Sequence, residues 1–102
     1  MAYKLFFQDV FLGEVTEIDS DFPMKAGNFV PSEAPCESTL CRRLRAYLAL
    51  TLQEVMNEDE TVDYSEFEDL IESEDWVLAD TEGHRMYIMA PVYGLEGELL
   101  WR

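Results

Sequence analysis

The first third of the chain alternates apolar and polar positions in the way that is typical of β-strands. Residues 3–8 and 10–18 are rich in aromatic and β-branched side chains, so each segment predicts a strand. The polar pair Gln8–Asp9 between them predicts a hairpin turn, with one long bent strand as the alternative. Gly13 lies inside the second segment and indicates a bulge or a close backbone approach.

Turn-forming residues separate this hairpin from a helical segment. A turn is predicted at residues 19–23, a weaker strand at residues 25–30 and a proline-containing loop at residues 31–37. Ser38 or Thr39 then caps a helix. Its apolar face recurs every three to four residues and consists of Leu40, Leu44, Tyr47, Leu48, Thr51, Leu52 and Val55.

A second, shorter helix is expected after an acidic link. Asp63 and Glu66 stand at the cap and third positions of a helix start, and the helix is expected to extend to about Ser73. Its apolar stripe consists of Tyr64, Phe67, Leu70 and Ile71. The acidic residues of this segment therefore face outward or sideways.

The last third returns to the pattern of strands. Residues 76–80 and 85–92 flank a loop at residues 81–84, in which Gly83 supplies the positive φ that a hairpin turn needs. Residues 98–102 predict a terminal strand. Strands, then helices, then strands predict an α+β fold: a mostly antiparallel sheet of about five or six strands, with two helices packed on one face.

The size and composition of the chain fit one folded unit. With 102 residues the chain has room for one hydrophobic core, so we predict a single domain over residues 1–102. Its apolar fraction of 48% is sufficient for folding despite a formal net charge of −15. Seven aromatic residues at strand spacing are mostly core candidates: Phe6, Phe7, Phe11, Trp76, Tyr87, Tyr93 and Trp101. One or two of them exposed beside the acidic face would be anchors for an interface.

The charge is concentrated in one stretch. Thirteen carboxylates and no Lys or Arg lie between Glu54 and Glu82. Residues 1–50 carry seven acids against five bases, whereas residues 51–102 carry fifteen against two. Salt adaptation alone would distribute carboxylates over the whole chain, so this asymmetry favours a dedicated surface that attracts a cationic partner.

The same charge excludes several classes of function. Seven cations cannot supply the basic face that phosphate contacts need, so we expect no direct binding to nucleic acid. Attraction to an anionic membrane is disfavoured for the same reason. No segment has the pattern of a leader peptide or the length of a membrane span, so we expect a cytoplasmic protein.

The sequence gives only weak signals for a catalytic or metal-binding site. Cys36 and Cys41 are the only cysteines and are expected to be reduced, because one pair is no disulfide framework. Cys41 lies near three arginines at a helix start, but the single histidine, His84, falls in a predicted turn, so we expect no catalytic pair and no zinc site. The arginines are Arg42, Arg43 and Arg45, which we expect to neutralise the protein's own acidic segment.

Residues 57–68 have some of the oxygen ligands of a calcium loop of the EF-hand type. These would be Asn57, Asp59, Thr61, Ser65 and Glu68. Val62 stands where such a loop needs Gly, and the helix start described above explains the pattern better. We therefore predict no metal ligands and no cofactor.

We therefore predict a non-enzymatic interaction module of inhibitor, immunity or adaptor type that docks a basic protein. The alternative is an acidic protein whose charge serves solubility or salt adaptation, and a divalent-metal binder or an enzyme ranks below both. The predicted partner-binding residues are Glu58, Asp59, Glu60, Glu66, Glu68, Asp69 and Glu72.

Overall fold

The computed structural model describes residues 2–19, 25–57, 62–94 and 97–101 of the chain. Apart from its first residue, the turn predicted at residues 19–23 lies outside this part. The elements in chain order are β1 (Ala2–Phe7), β2 (Val10–Asp19), β3 (Lys25–Pro31), α1 (Thr39–Asn57), a 3₁₀ turn (Ser65–Phe67), α2 (Glu68–Ile71), β4 (Trp76–Ala79), β5 (Arg85–Tyr87), β6 (Val92–Tyr93) and β7 (Glu98–Trp101).

The strands form one curled antiparallel sheet in the order β5-β4-β1-β2-β3-β7-β6. The predicted α+β fold with an antiparallel sheet and two helices is confirmed, but the described residues form seven strands instead of five or six. The additional strand arises because residues 85–92 do not form one strand. Pro91 cannot donate to a ladder, and the chain leaves β5 at one end of the sheet and forms β6 at the other.

The β1–β2 hairpin is confirmed, with Gln8–Asp9 as its two-residue turn. Gln8 has a φ of 54°, the positive value that such turns need. The register of this pair shifts between Leu5 and Phe6, which places a bulge opposite them in β2, beside Gly13. The bulge turns both Leu12 and Val15 toward the core, where they are buried.

Helix α1 covers one face of the sheet and closes the core. The core includes Leu5, Phe7, Leu12, Val15, Phe29, Leu44, Tyr47, Leu48, Phe67, Leu70, Trp76, Leu78, Ile88, Leu99 and Trp101. Two hydrogen bonds tie the helix to the segment around β6. The Tyr47 hydroxyl donates to the Pro91 carbonyl at 3.0 Å in a buried contact, and the Tyr93 amide donates to Thr51 Oγ1 at 3.1 Å in a partly buried one. Neither helix of the described residues has the length and apolar character of a membrane span.

Cys36 and Cys41 form a disulfide, so the expectation that both are reduced is wrong. The Ser38 hydroxyl caps α1 by accepting a hydrogen bond from the Cys41 amide at 3.1 Å. This cap turns the chain so that the first helical turn faces the preceding loop. The Cα atoms of Cys36 and Cys41 therefore lie 5.5 Å apart, within the usual range for a disulfide. By restricting the unfolded chain, a disulfide that closes such a short loop stabilises the fold by about 2 kcal/mol.

The second helix is shorter than predicted and begins as the 3₁₀ turn. The cap residue of this turn is Tyr64 and not Asp63 as predicted, and no side chain caps it. Asp63 instead accepts a hydrogen bond from the Ser65 amide at 2.9 Å just before the turn. The helix ends at Ile71, two residues before the predicted end. The Trp76 indole donates to the Leu70 carbonyl at 2.8 Å and so satisfies an acceptor near the end of the helix.

Candidate interaction surface

Four predicted partner-binding residues lie together on the 3₁₀ turn and α2. Glu66, Glu68, Asp69 and Glu72 are all exposed, and we call them the acidic surface. The other three, Glu58, Asp59 and Glu60, lie outside the described residues. Their part in the site stays a prediction.

The buried residues of this segment determine the direction of its carboxylates. Phe67 and Leu70 lie three positions apart and are both buried in the core. The Tyr47 ring packs near that of Phe67, with a centroid separation of 6.0 Å. With these two side chains directed inward, the helical period directs the carboxylates to solvent.

One member of the acidic surface is neutralised by the protein itself. Arg43 on α1 makes a bidentate ion pair with the Asp69 carboxylate, at 2.7 and 2.9 Å. Its guanidinium also donates to the Glu66 carbonyl at 2.8 Å, which fixes the 3₁₀ turn on α1. Among the described residues, Glu66, Glu68 and Glu72 form no ion pair.

The expectation that three arginines neutralise the acidic segment holds for Arg43 alone. Arg45 instead donates to the Ala34 carbonyl in the loop before α1. Arg42 is exposed and makes no ion pair with a described residue. Most of the negative charge on this surface therefore remains available to a cation from outside.

Replacing Arg43 with glutamine is expected to raise the pKa of Asp69 toward its ordinary value. The hydrogen bonds from Arg43 lower the pKa of this carboxyl from 3.8. The pKa of Asp69 is thus lower in the folded than in the unfolded protein. The stabilisation that the Arg43–Asp69 pair gives the fold is therefore complete above the unfolded pKa, and it is lost as the pH falls through the folded pKa. Carboxyl-detected NMR titration of the folded protein measures the shift.

The matched control for this titration is Arg42→Gln, which removes the same charge from a neighbouring exposed position. It should leave the pKa of Asp69 nearly unchanged, because Arg42 donates no hydrogen bond to it. Equal shifts in the two variants would contradict a direct pair and indicate only a long-range effect of net charge.

Glu54 is a member of the acidic stretch that does not belong to this surface. Its carboxylate accepts a hydrogen bond from the Tyr64 hydroxyl in a partly buried contact between α1 and the segment before the 3₁₀ turn. Burial and this hydrogen bond raise the pKa of Tyr64. Burial, together with the charge of Glu54, raises the pKa of Tyr47 to about 12, so both phenols are protonated at neutral pH.

The acidic surface borders a groove of about 810 Å³ between the end of α2 and the end of β5. Ile71, Tyr87, Ile88 and Met89 supply its apolar lining. Tyr87 is 69% exposed and Met89 63%, so Tyr87 is one of the aromatic core candidates that lie outside the core. Because β5 is three residues long and ends the sheet, this side chain has no further strand to pack against.

Carboxylates continue from the acidic surface into this groove. Glu72, Glu74 and Asp75 line it on the side of α2. Asp75 is held in place because its Oδ2 accepts hydrogen bonds from the Gln8 side chain and the Ser73 hydroxyl, both at 3.1 Å. The groove therefore combines exposed apolar side chains with a negatively charged rim, which the sequence alone did not reveal.

A second cluster lies in the β4–β5 loop, where one ligand atom from each of Asp80, Glu82 and His84 lies within 4.8 Å of the others. Asp80 Oδ1 accepts hydrogen bonds from the Glu82 and His84 amides, both at 2.9 Å. Partial burial opposes the ionisation of Asp80, but these hydrogen bonds outweigh it and lower its pKa. The turn itself accounts for the arrangement of these three side chains.

The described residues do not assemble the other candidate sites from the sequence. The disulfide removes Cys36 and Cys41 as metal ligands, and Cys41 as a nucleophile. The calcium-loop hypothesis depends on residues 58–61, which lie outside the described part, and it stays a hypothesis.

The chain matches no protein-family model, no curated protein sequence and no solved structure. Its function therefore has to be inferred from the chemistry of the surface.

Proposed function

We propose that the protein is a non-enzymatic interaction module whose acidic surface docks a basic protein, as an inhibitor, an immunity protein or an adaptor would. The observation that carries the proposal is the set of exposed carboxylates on a segment held rigidly against the core. Rigid placement matters because fixed charges are already arranged for a partner, so little conformational entropy is lost on binding.

The charge pattern supports docking more than general solubility. Glu66, Glu68 and Glu72 lie within seven positions of one another, and no described cation pairs with them. Mutual repulsion of these groups destabilises the folded chain, whereas a cationic partner would convert that repulsion into attraction. Nearby Tyr87 and Met89 provide the exposed apolar area that protein interfaces use at their centres.

The oxidation state of the two cysteines bears on the compartment in which the protein works. The sequence predicts a cytoplasmic protein. The Cys36–Cys41 disulfide weighs against a permanently reducing compartment, because cytosolic proteins rarely keep such bonds. Thiol alkylation of protein taken directly from its cells measures which oxidation state is present.

Affinity capture from lysate of the source cells tests the proposed function. The wild-type chain should retain a basic protein at about 50 mM salt and release it as the salt rises, because exposed charges are screened. The variant Glu66→Gln, Glu68→Gln, Glu72→Gln should bind that protein about tenfold more weakly, since each exposed charge contributes up to about 1 kcal/mol.

The matched control neutralises three exposed glutamates elsewhere: Glu14→Gln, Glu33→Gln, Glu37→Gln. It has the same net charge as the first variant, so it should bind nearly as well as the wild type if position matters. Equal weakening in both variants would show that only total charge counts. Retention that does not respond to salt, or no retained basic protein, would contradict the proposal.

A further inference from the structure

Strand β5 leaves backbone hydrogen-bonding groups free at one end of the sheet. The Asp80 amide donates to the His84 carbonyl, and the Ile88 amide donates to the Trp76 carbonyl, both at 3.0 Å. Residues that bond to the neighbour alternate along an antiparallel strand, so His84, Met86 and Ile88 face β4. The amide and carbonyl groups of Arg85 and Tyr87 therefore point away from the sheet.

The opposite end of the sheet is protected, which makes the β5 edge distinctive. At β6, the Tyr93 amide donates to Thr51 Oγ1 and is covered by α1. Among the described residues, no hydrogen bond reaches the outward amide of Arg85 or Tyr87. A free strand edge is a template for an additional strand, and proteins normally cover such an edge unless it is used.

The side chains along this edge are suited to one kind of ligand. Tyr87 ends β5 and Met89 lies two residues beyond it. Both side chains are largely exposed and line the same groove. Ile71 and Ile88 extend this apolar surface into the groove, and Glu72 and Glu74 line the groove without an ion pair to any described residue. Arg85, an exposed cation at the other end of β5, lies over the Phe6 ring at 5.9 Å. At the Tyr87 end, an added strand would therefore meet apolar contacts and negative charge together.

We propose that an extended, basic segment of the partner adds to the sheet as a strand beside β5, with large apolar side chains against Tyr87 and Met89 and with Lys or Arg side chains toward Glu72 and Glu74. This inference rests on the proposed function and specifies how the partner binds. A second copy of this chain is disfavoured as the occupant, because it would bring two acidic rims of a protein with charge −15 together.

Two synthetic peptides of about ten residues with equal charge test the inference. In the first, Lys alternates with Val. The second is an oligolysine of the same charge, spaced with Gly and lacking apolar side chains. Fluorescence anisotropy at about 50 mM salt should give at least tenfold tighter binding for the alternating peptide, because only that peptide can use the apolar groove.

Two variants of one residue separate side-chain contact from strand addition. Tyr87→Ala removes only the side chain, whereas Tyr87→Pro also removes the outward amide and leaves the β4 ladder intact. The alternating peptide should bind Tyr87→Ala about fivefold more weakly than wild type, and Tyr87→Pro at least tenfold more weakly still. Both variants should unfold at the same denaturant concentration. Equal affinities for the two variants would overturn strand addition.

A third variant, Glu72→Gln, Glu74→Gln, leaves the edge untouched and keeps the test decisive if Tyr87→Pro does not fold. This variant should bind the alternating peptide about tenfold more weakly than the wild type, and an unchanged affinity would overturn the inference. Equal binding of both peptides to the wild type would overturn it too, while leaving the proposed function standing.

Failure of both peptides to bind at about 50 mM salt would count against the proposed function itself. Sedimentation of the free protein as a dimer that Tyr87→Pro abolishes would identify a second copy as the occupant and overturn the proposal.

Discussion

Replacing Trp76 with alanine is expected to lower the free energy of unfolding by about 3–5 kcal/mol, as for other fully buried aromatic residues. The Trp76 side chain is 0% exposed. Its ring packs against those of Phe7 and Tyr47, with centroid separations of 5.0 and 5.8 Å. Removing it leaves a cavity where the sheet, α1 and α2 meet, and urea denaturation measures the loss.

The variant Trp76→Phe separates packing from hydrogen bonding. It keeps an aromatic ring in the core but removes the indole donor from the Leu70 carbonyl. The Ser73 amide still donates to that carbonyl at 3.3 Å, so the expected cost is that of one hydrogen bond, about 0.5–1.5 kcal/mol. Amides of residues 66–72 should then exchange faster with deuterium, because this bond holds the end of α2 against the sheet. Exchange that increases uniformly over the protein would contradict a specific role in holding the acidic surface.

Replacing Gly13 with alanine is expected to lower the free energy of unfolding by about 3 kcal/mol or more. An added Cβ would lie 2.4 Å from the Val30 carbonyl oxygen and 2.7 Å from the Phe29 ring. The first of these is backbone held in the β2–β3 ladder, so it cannot move aside without breaking the register. A φ of +155° adds strain for any residue with a side chain.

The matched control for this substitution is Gly83→Ala. Gly83 has a φ of +87° but would place its Cβ in open space. Only the backbone penalty then applies, at about 1–2 kcal/mol. Thermal or urea denaturation of both variants measures the difference. Equal losses would show that Gly13 matters for its backbone conformation and not for the close approach of β3.

Local chemistry was enough to predict the elements whose signals lie within a few residues. The Gln8–Asp9 turn, the Ser38 cap and the glycine of the β4–β5 loop each act on their immediate neighbours. The helical period of α1 and the order of strands and helices then gave the α+β fold. Gly13 was expected to mark a bulge or a close backbone approach, and the structure has a bulge beside it and a close approach of β3 to it.

The remaining features depend on contacts between distant residues, which one sequence does not reveal. Arg43 and Asp69 are 26 positions apart, and Tyr87 lies at the edge only because β5 ends the sheet. The disulfide depended on how the Ser38 cap turns the loop, and spacing alone did not show it. The sequence thus located the acidic segment, whereas the groove beside it required the structure.

Hydrogen–deuterium exchange of the complex with the captured basic protein tests the central claim most directly. Docking on the acidic surface should slow exchange at residues 65–75, because a bound partner excludes water from these amides. The Glu66→Gln, Glu68→Gln, Glu72→Gln variant should lose this protection, whereas the Glu14→Gln, Glu33→Gln, Glu37→Gln variant should keep it. Protection confined to β3 or to residues 31–38, with residues 65–75 unchanged, would contradict the account.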